Sequence, residues 1–294
     1  QLSKLLERLE YEVVQGSDQI EISTLINDSR KVENGSAFVC IKGAVVDGHE
    51  FVHQVAEKGA AAVIVEDEVD APEDMTVIRV PDTRYALALM SAAYFGYPAD
   101  KMKVIGITGT KGKTTTTYMI KSILDAVGHK VGLIGTIEAI IGDKHIPAAN
   151  TTPESYTIHK YFAEMVEAGC DCVVMEVSSQ GLMLHRTAGI PFTIGIFTNL
   201  GKDHIGPNEH ASFEEYLYYK NLLTRRVKMA LVPGLRSYAE QRYFHFKQVY
   251  IEYTKGDDAQ ESKANEDIRK AYAELKSGVS MDEVIDKYSN NSVY

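Results

Sequence analysis

Lys103-Val-Ile-Gly-Ile-Thr108 runs directly into Gly109-Thr-Lys-Gly-Lys-Thr-Thr-Thr116. From Thr114 to Val127 the chain then carries Met119, Ile120, Ile123, Leu124 and Val127 at helical spacing, until Gly128 stops the pattern. The order is buried strand, glycine turn, helix. Glycines let the backbone approach an anion, and the start of the helix presents free N–H groups and the positive end of its dipole. Lys113 adds a charge, and the Thr114 hydroxyl suits Mg²⁺. An ordinary strand-to-helix turn needs one glycine and would not also place Gly-Lys-Thr at the helix start, so the stretch reads as a phosphate cradle. Its spacing is short. The general phosphate loop has four residues between its first glycine and the Gly-Lys pair, whereas here only Thr110 and Lys111 separate Gly109 from Gly112.

The pattern around the cradle predicts two α/β units and a tail. Residues 1–98 read as helix Leu2–Leu9, an Asp28-Ser-Arg30 turn, strand Ser36–Ile41, helix Val52–Lys58, strand Ala60–Val65, strand Thr76–Val80 and helix Thr83–Phe95, with Tyr97-Pro98 starting a linker. Residues 99–232 repeat strand and helix, which predicts a parallel sheet flanked by helices. A hairpin over Ala139–Ile146 turns at Gly142-Asp143. Thr152 and Pro153 are placed to cap and open a helix, and Ser212 with Glu215 forms a capping-box pattern. Residues 233–294 read as a Tyr-rich strand over Phe244–Tyr253, a polar Lys255–Lys263 linker, a helix from about Asn265 to Leu275, and a helix opened by Ser280 with Glu283.

Charge and composition exclude several functions. The net charge of −10 opposes general nucleic-acid binding. Residues 225–294 hold 12 Lys+Arg against 11 Asp+Glu, so the acidity belongs to the part before them, and the shift marks a boundary. No apolar run approaches the ~20 residues of a membrane helix, and the opening segment is amphipathic rather than a signal peptide, so a cytoplasmic protein is expected. Cys40, Cys170 and Cys172 sit in apolar strand contexts and are expected to be buried thiols.

Individual side chains have ordinary explanations as well. Asp28-Ser-Arg30 suits turn chemistry. Glu176, at the end of the buried strand Asp171–Val177, needs a cation or donor, supplied either by a neighbouring lysine or, better, by a nucleotide-bound Mg²⁺. His204 follows the strand Thr193–Thr198 and faces the cradle's crevice, with Asp203 placed to orient it. Lys220, on the helix Phe213–Leu223, reads from pattern alone as a solvated face.

Taken together, Gly109–Thr116, Asn150-Thr-Thr-Pro153, Met175-Glu-Val-Ser-Ser179 with Arg186, Asn199-Leu200 with Asp203-His204, and Tyr216 with Lys220 resemble the Mur ligase family. Asp28-Ser-Arg30, Gly35–Phe38 and Asp47-Gly-His49 resemble its uridine-nucleotide domain, and the short phosphate loop is the form this family uses. The resemblance covers residues 1 to about 224. It implies a small N-terminal α/β nucleotide-sugar domain over residues 1–98, a central P-loop parallel-sheet ATPase domain over 99–232, and a mixed or helical tail. It also implies ATP-dependent amide-bond formation, in which a UDP-N-acetylmuramoyl-peptide carboxylate becomes an acyl phosphate and an amino acid displaces the phosphate. Gly109, Thr110, Lys111, Gly112, Lys113, Thr114, Thr115 and Asn199 would bind ATP. Thr114 and Glu176 would hold one Mg²⁺ and His204 a second, with Lys220 carbamylated to help hold them. Ser29, Arg30 and His49 would lie near the uridine diphosphate, and Thr151, Thr152, Ser178 and Arg186 near the muramoyl-peptide. Gln180 stands where many relatives have His. The family's third domain, which selects the amino acid, has no counterpart in residues 235–294. The alternative is therefore a non-catalytic protein that binds ATP and the muramoyl-peptide, with the tail docking a protein partner.

Overall fold

The computed structural model describes residues 1–43, 46–201, 203, 205–206, 209–225, 227, 229–231 and 281–288, together with residues 263, 266, 267, 270, 274, 277 and 279. The N-terminal lobe comprises α1 (Leu2–Leu6), β1 (Glu12–Gln15), β2 (Leu25–Ile26), β3 (Ala37–Val39), α2 (Val52–Glu57), β4 (Ala62–Val65), β5 (Thr76–Arg79) and α3 (Thr83–Tyr94). The central lobe follows with β6 (Lys103–Thr108), α4 (Lys113–Ala126), β7 (Val131–Ile134), β8 (Glu138–Ile141), β9 (Lys144–Pro147), α5 (Ser155–Glu167), β10 (Cys172–Glu176), α6 (Ser179–Met183), β11 (Phe192–Phe197), α7 (Phe213–Arg225) and β12 (Met229–Leu231). In the tail, α8 spans Met281–Tyr288.

The first sheet has the order β1-β5-β4-β3-β2, parallel except for β1. The second has the order β12-β11-β6-β10-β7-β8-β9, parallel through β7 and closed by the antiparallel β8–β9 hairpin. Its middle strands are apolar on both faces, as a sheet covered by helices requires. In register, Val174 pairs with Ile105 and Glu176 with Ile107, so the strand ends that lead to the phosphate loop and to Glu176 lie side by side. That edge is where open α/β sheets bind ligands.

Most expected elements form within one or two residues of their predicted ends. Strands β1 and β2 have no counterpart in the sequence reading: Val13 and Val14 are both exposed on an edge strand, and β2 has only two residues. The expected cap at Thr152 is corrected. Helix α5 begins at Ser155 with Glu154 in the cap position, because the Thr152 hydroxyl bonds instead to the Glu176 carbonyl and the Ser178 amide. Ser212 does cap α7, its Oγ accepting from the Glu215 amide at 3.1 Å, while the Glu215 carboxylate reaches back to the Ala211 amide. All three cysteines are buried and free. The strand expected over Phe244–Tyr253, residues 255–262 and Ser280 fall outside the described residues. Residues 266, 267, 270 and 274 are helical, as expected.

Candidate active site

The phosphate loop is held from three sides. Gly109 (φ +143°) and Gly112 (φ +81°) adopt conformations that favour glycine, and a Cβ on Gly109 would lie 2.0 Å from the Thr198 hydroxyl. Asn199 clamps Lys111, its Oδ1 accepting from the Lys111 amide at 2.9 Å and its Nδ2 donating to the Lys111 carbonyl at 2.9 Å. Thr198 Oγ1 donates to that same carbonyl at 2.7 Å. Thr110 Oγ1 bonds the Gly201 amide and the buried Tyr216 hydroxyl, both at 2.9 Å. The Gly109 carbonyl accepts from Lys113 Nζ at 3.0 Å and from Lys220 Nζ at 2.8 Å. Thr115 is exposed in the first turn of α4. Thr198 and Tyr216 are braces to which sequence reasoning assigned no role.

Glu176 is 0% exposed at the end of β10. Its Oε2 accepts from Thr114 Oγ1 and Thr136 Oγ1, both at 3.0 Å, and its Oε1 accepts from the Thr136 amide at 2.9 Å. Among the described residues no lysine, arginine or histidine forms an ion pair with it, so the lysine-bridge alternative is set aside. A buried anion satisfied by hydroxyls and one amide, beside a helix N-terminus, is a hard oxygen donor set that fits Mg²⁺. Thr136, just past the end of β7, was not anticipated, and its position after a buried strand and Gly135 was the available signal.

Lys220 corrects the solvated-face expectation, being 1% exposed. Helical spacing puts Tyr216, Lys220 and Thr224 on one inward stripe of α7. Burial, and secondarily the neighbouring Lys113 charge, lower its pKa to about 7. Burial likewise lowers that of Lys113. Asp203 pairs with Lys111 at 3.3 Å. His204, and with it the expected orientation by Asp203, lies outside the described residues.

The other expected residues form two groups. Beside Glu176, Thr151 Oγ1 lies 3.1 Å from Thr136 Oγ1, and Ser178 caps α6 by accepting from the Gly181 amide. Arg186 donates to the Thr152 carbonyl at 3.0 Å and pairs with Glu154 at 2.5 Å. In the N-terminal lobe, Ser29 opens a short 3-10 turn capped by Asp28, and Arg30 forms a two-point pair with Asp28 at 2.9 and 3.0 Å. This pairing, led by the Arg30 side chain, holds the Asp28 carboxyl down at about 2. His49 is committed internally, with Nδ1 at 2.6 Å from Asp47 and Nε2 accepting from the Glu66 amide at 3.1 Å.

Two family models match the chain. "Mur ligase middle domain" matches residues 107–288, and "Mur ligase family, catalytic domain" matches residues 21–95. The chain belongs to the Mur ligase family. The middle-domain match runs past residue 224, where the recognisable motifs end. The chain is 50% identical over 231 residues to a Clostridium perfringens protein named UDP-N-acetylmuramoyl-L-alanyl-D-glutamate--2,6-diaminopimelate ligase, covering 79% of this chain and 47% of that one. It is 48% identical over 208 residues to a Bacillus licheniformis protein of the same name, covering 71% and 42%. Thus the chain spans about half the length of the curated relatives it matches. Among solved structures, one titled with the same ligase name superposes with a TM-score of 0.67 at 24% identity, over 79% of this chain and 46% of that one. MurF from Acinetobacter baumannii superposes with a TM-score of 0.54 at 25% identity, over 79% and 48%. Among the described residues no helix is long and apolar enough to cross a membrane.

Proposed function

We propose that this chain carries the nucleotide-binding and carboxylate-activating part of an ATP-dependent ligase that adds an amino acid to a UDP-N-acetylmuramoyl-peptide. The observation that carries the reading is the buried Glu176 carboxylate, 3.0 Å from the Thr114 hydroxyl where α4 begins at the phosphate loop. Family membership and the names of the relatives support the substrate class.

Gly109 to Thr115 would cradle the nucleotide phosphates with backbone amides and the Lys113 charge. Asn199 spends its amide on the Lys111 backbone, so it would act by holding the loop. Mg²⁺ held by Thr114 and Glu176, and a second ion at His204, would supply neutralisation of phosphate charge. Lys220 suits carbamylation. With its pKa lowered to about 7, a substantial neutral fraction exists near neutral pH, and that amine can attack CO₂, releasing one proton and leaving an anionic carbamate. Thr151, Thr152, Ser178 and Arg186 would receive the peptide end of the substrate. Ser29 and Arg30 would face the uridine diphosphate, with His49 supporting that region through Asp47 and Glu66.

The chemistry is then positional. The substrate carboxylate attacks the terminal phosphorus of ATP and ADP leaves; the amine of the incoming amino acid attacks the acyl phosphate and inorganic phosphate leaves. The test is phosphate release and product mass with ATP, UDP-N-acetylmuramoyl-L-alanyl-D-glutamate and either meso-diaminopimelate or lysine. Release that depends on the muramoyl substrate and disappears in Lys113→Ala supports the proposal. Binding of both ligands without turnover would reduce this chain to a recognition module, and binding of neither would overturn the reading.

A further inference from the structure

Among the described residues only two other than glycine have positive φ, Tyr97 at +51° and His185 at +54°, and both lie where the lobes meet. Tyr97 begins the covalent link into the central lobe, just before a 3-10 turn at Pro98–Lys101. His185 lies across the junction, in the turn after α6. Its Nε2 is 3.4 Å from Oδ2 of Asp82, the residue that caps α3 of the N-terminal lobe. Its ring meets Tyr85 of α3 edge-on, with centroids 5.6 Å apart. Four residues on, Gly189 approaches the same helix so closely that a Cβ there would lie 2.4 Å from Leu89 Cδ2. A left-handed non-glycine residue is costly and persists where its surroundings hold it.

The same turn carries three consecutive buried polar atoms without a hydrogen-bond partner: His185 Nδ1, Arg186 Nε and Thr187 Oγ1. Packing against α3 thus takes precedence over local hydrogen bonding. His185 Nε2 thus faces the Asp82 carboxylate as a close polar contact, while Nδ1 has no partner. Because Arg186 is the next residue and reaches the Thr152 carbonyl beside Glu176, the position of α3 is tied to the peptide-binding end of the central lobe.

We infer that His185 is a positioning residue that fixes the span between the two lobes and so selects a substrate long enough to bridge them. This rests on the functional reading above, in which the uridine end of the substrate lies on the N-terminal lobe and its carboxylate at the phosphate loop. ADP, bound by the central lobe alone, is indifferent to that span; the bridging substrate is not.

The test compares wild type with His185→Ala, His185→Asn and Asp82→Ser. Asparagine tolerates the left-handed conformation but ends short of the position of Nε2, so it keeps the turn and removes the contact with Asp82; serine keeps the α3 cap while removing the partner carboxylate. Each protein is titrated with ADP and with UDP-N-acetylmuramoyl-L-alanyl-D-glutamate. Each is also spin-labelled at Glu68→Cys and Met119→Cys, one exposed site per lobe, to record the distance distribution without ligand; the native cysteines are buried. The expected result for His185→Ala and Asp82→Ser is muramoyl-substrate affinity weakened about fivefold, the upper scale of one partly exposed polar contact with a carboxylate. ADP affinity stays within about twofold, since the sites share no partner. The distance distribution broadens, less in His185→Asn, which keeps the left-handed turn, than in His185→Ala. Unchanged muramoyl affinity, a parallel loss of ADP affinity, or an unbroadened distribution overturns the inference. If wild type ignores the muramoyl substrate, the functional reading fails by itself. The distance distribution then decides the role of His185 in fixing the lobes: broadening supports it, and no change overturns it.

Discussion

The carboxyl ends of the two parallel sheets differ in how they hold charge. At the end of the central sheet, Glu176 and Lys220 are buried and Lys113 is half-buried, and their hydrogen-bond partners come from α4 and the loops after β6 and β7. At the end of the N-terminal sheet, Lys42 bridges Glu66 and Asp67 at 3.1 and 2.7 Å, and Arg30, with a side chain 87% exposed, pairs with Asp28 two residues away. Burying unlike groups without matched ion pairs costs stability and is retained where function requires it, whereas exposed local pairs contribute little. On the proposed reading, this contrast would make the central edge the preorganised reaction site and the N-terminal edge a recognition surface.

The largest expected effect is at Lys113. Lys113→Ala should weaken ADP binding by about a hundredfold, the scale for truncating one partner of a buried charge contact, as read by calorimetry. A change under about threefold would break the contrast, since it would put Lys113 on a par with a rim charge.

Next is Glu176→Gln. An amide keeps the hydrogen-bond count with Thr114 and Thr136 but removes the charge. The thermal midpoint should hold or rise while the gain in ADP affinity on adding Mg²⁺ disappears. Retained Mg²⁺ dependence would show that the metal is held elsewhere.

Lys220 gives a pH-dependent effect. Its folded pKa, about 7, lies below the ordinary lysine value of 10.5, so between these values the unfolded chain binds more protons and stability rises with pH. The penalty for charging the buried amine is full below pH 7 and relieved as pH rises through that window. Lys220→Met should therefore stabilise the unmodified protein most at pH 6 and progressively less towards pH 10, in denaturant titrations under CO₂-free conditions. A constant difference would contradict the burial argument. In bicarbonate, intact wild type should gain the mass of one CO₂.

The smallest effect belongs to Arg30→Ala. Stability should stay close to that of wild type, as for an exposed residue, with any consequence confined to affinity for the muramoyl substrate. A loss comparable to that of Lys113→Ala in ADP binding would erase the division between the two edges.

Much of this architecture was legible in the sequence, because strand and helix alternate with clear periods and punctuating glycines. β1 escaped because an edge strand with Val13 and Val14 both exposed shows no alternation. The Thr152 hydroxyl failed as a cap because a long-range contact with the Glu176 backbone outcompeted the local one. At the site, residue types and spacing pointed to Thr114 and Glu176, but two features depend on tertiary packing. One is the burial of Lys220, which follows from α7 facing the phosphate loop through Tyr216. The other is the clamp by Thr198 and Asn199, which joins residues about ninety positions apart in the chain.

The most direct measurement is a calorimetric titration of the chain with ADP, with and without Mg²⁺, in wild type and Lys113→Ala. Saturable one-to-one binding that Mg²⁺ strengthens in wild type, and that the substitution weakens about a hundredfold, is the predicted result. Absence of binding in wild type, or binding that neither Mg²⁺ nor Lys113→Ala alters, would contradict the assignment of the buried cluster as a metal–nucleotide site.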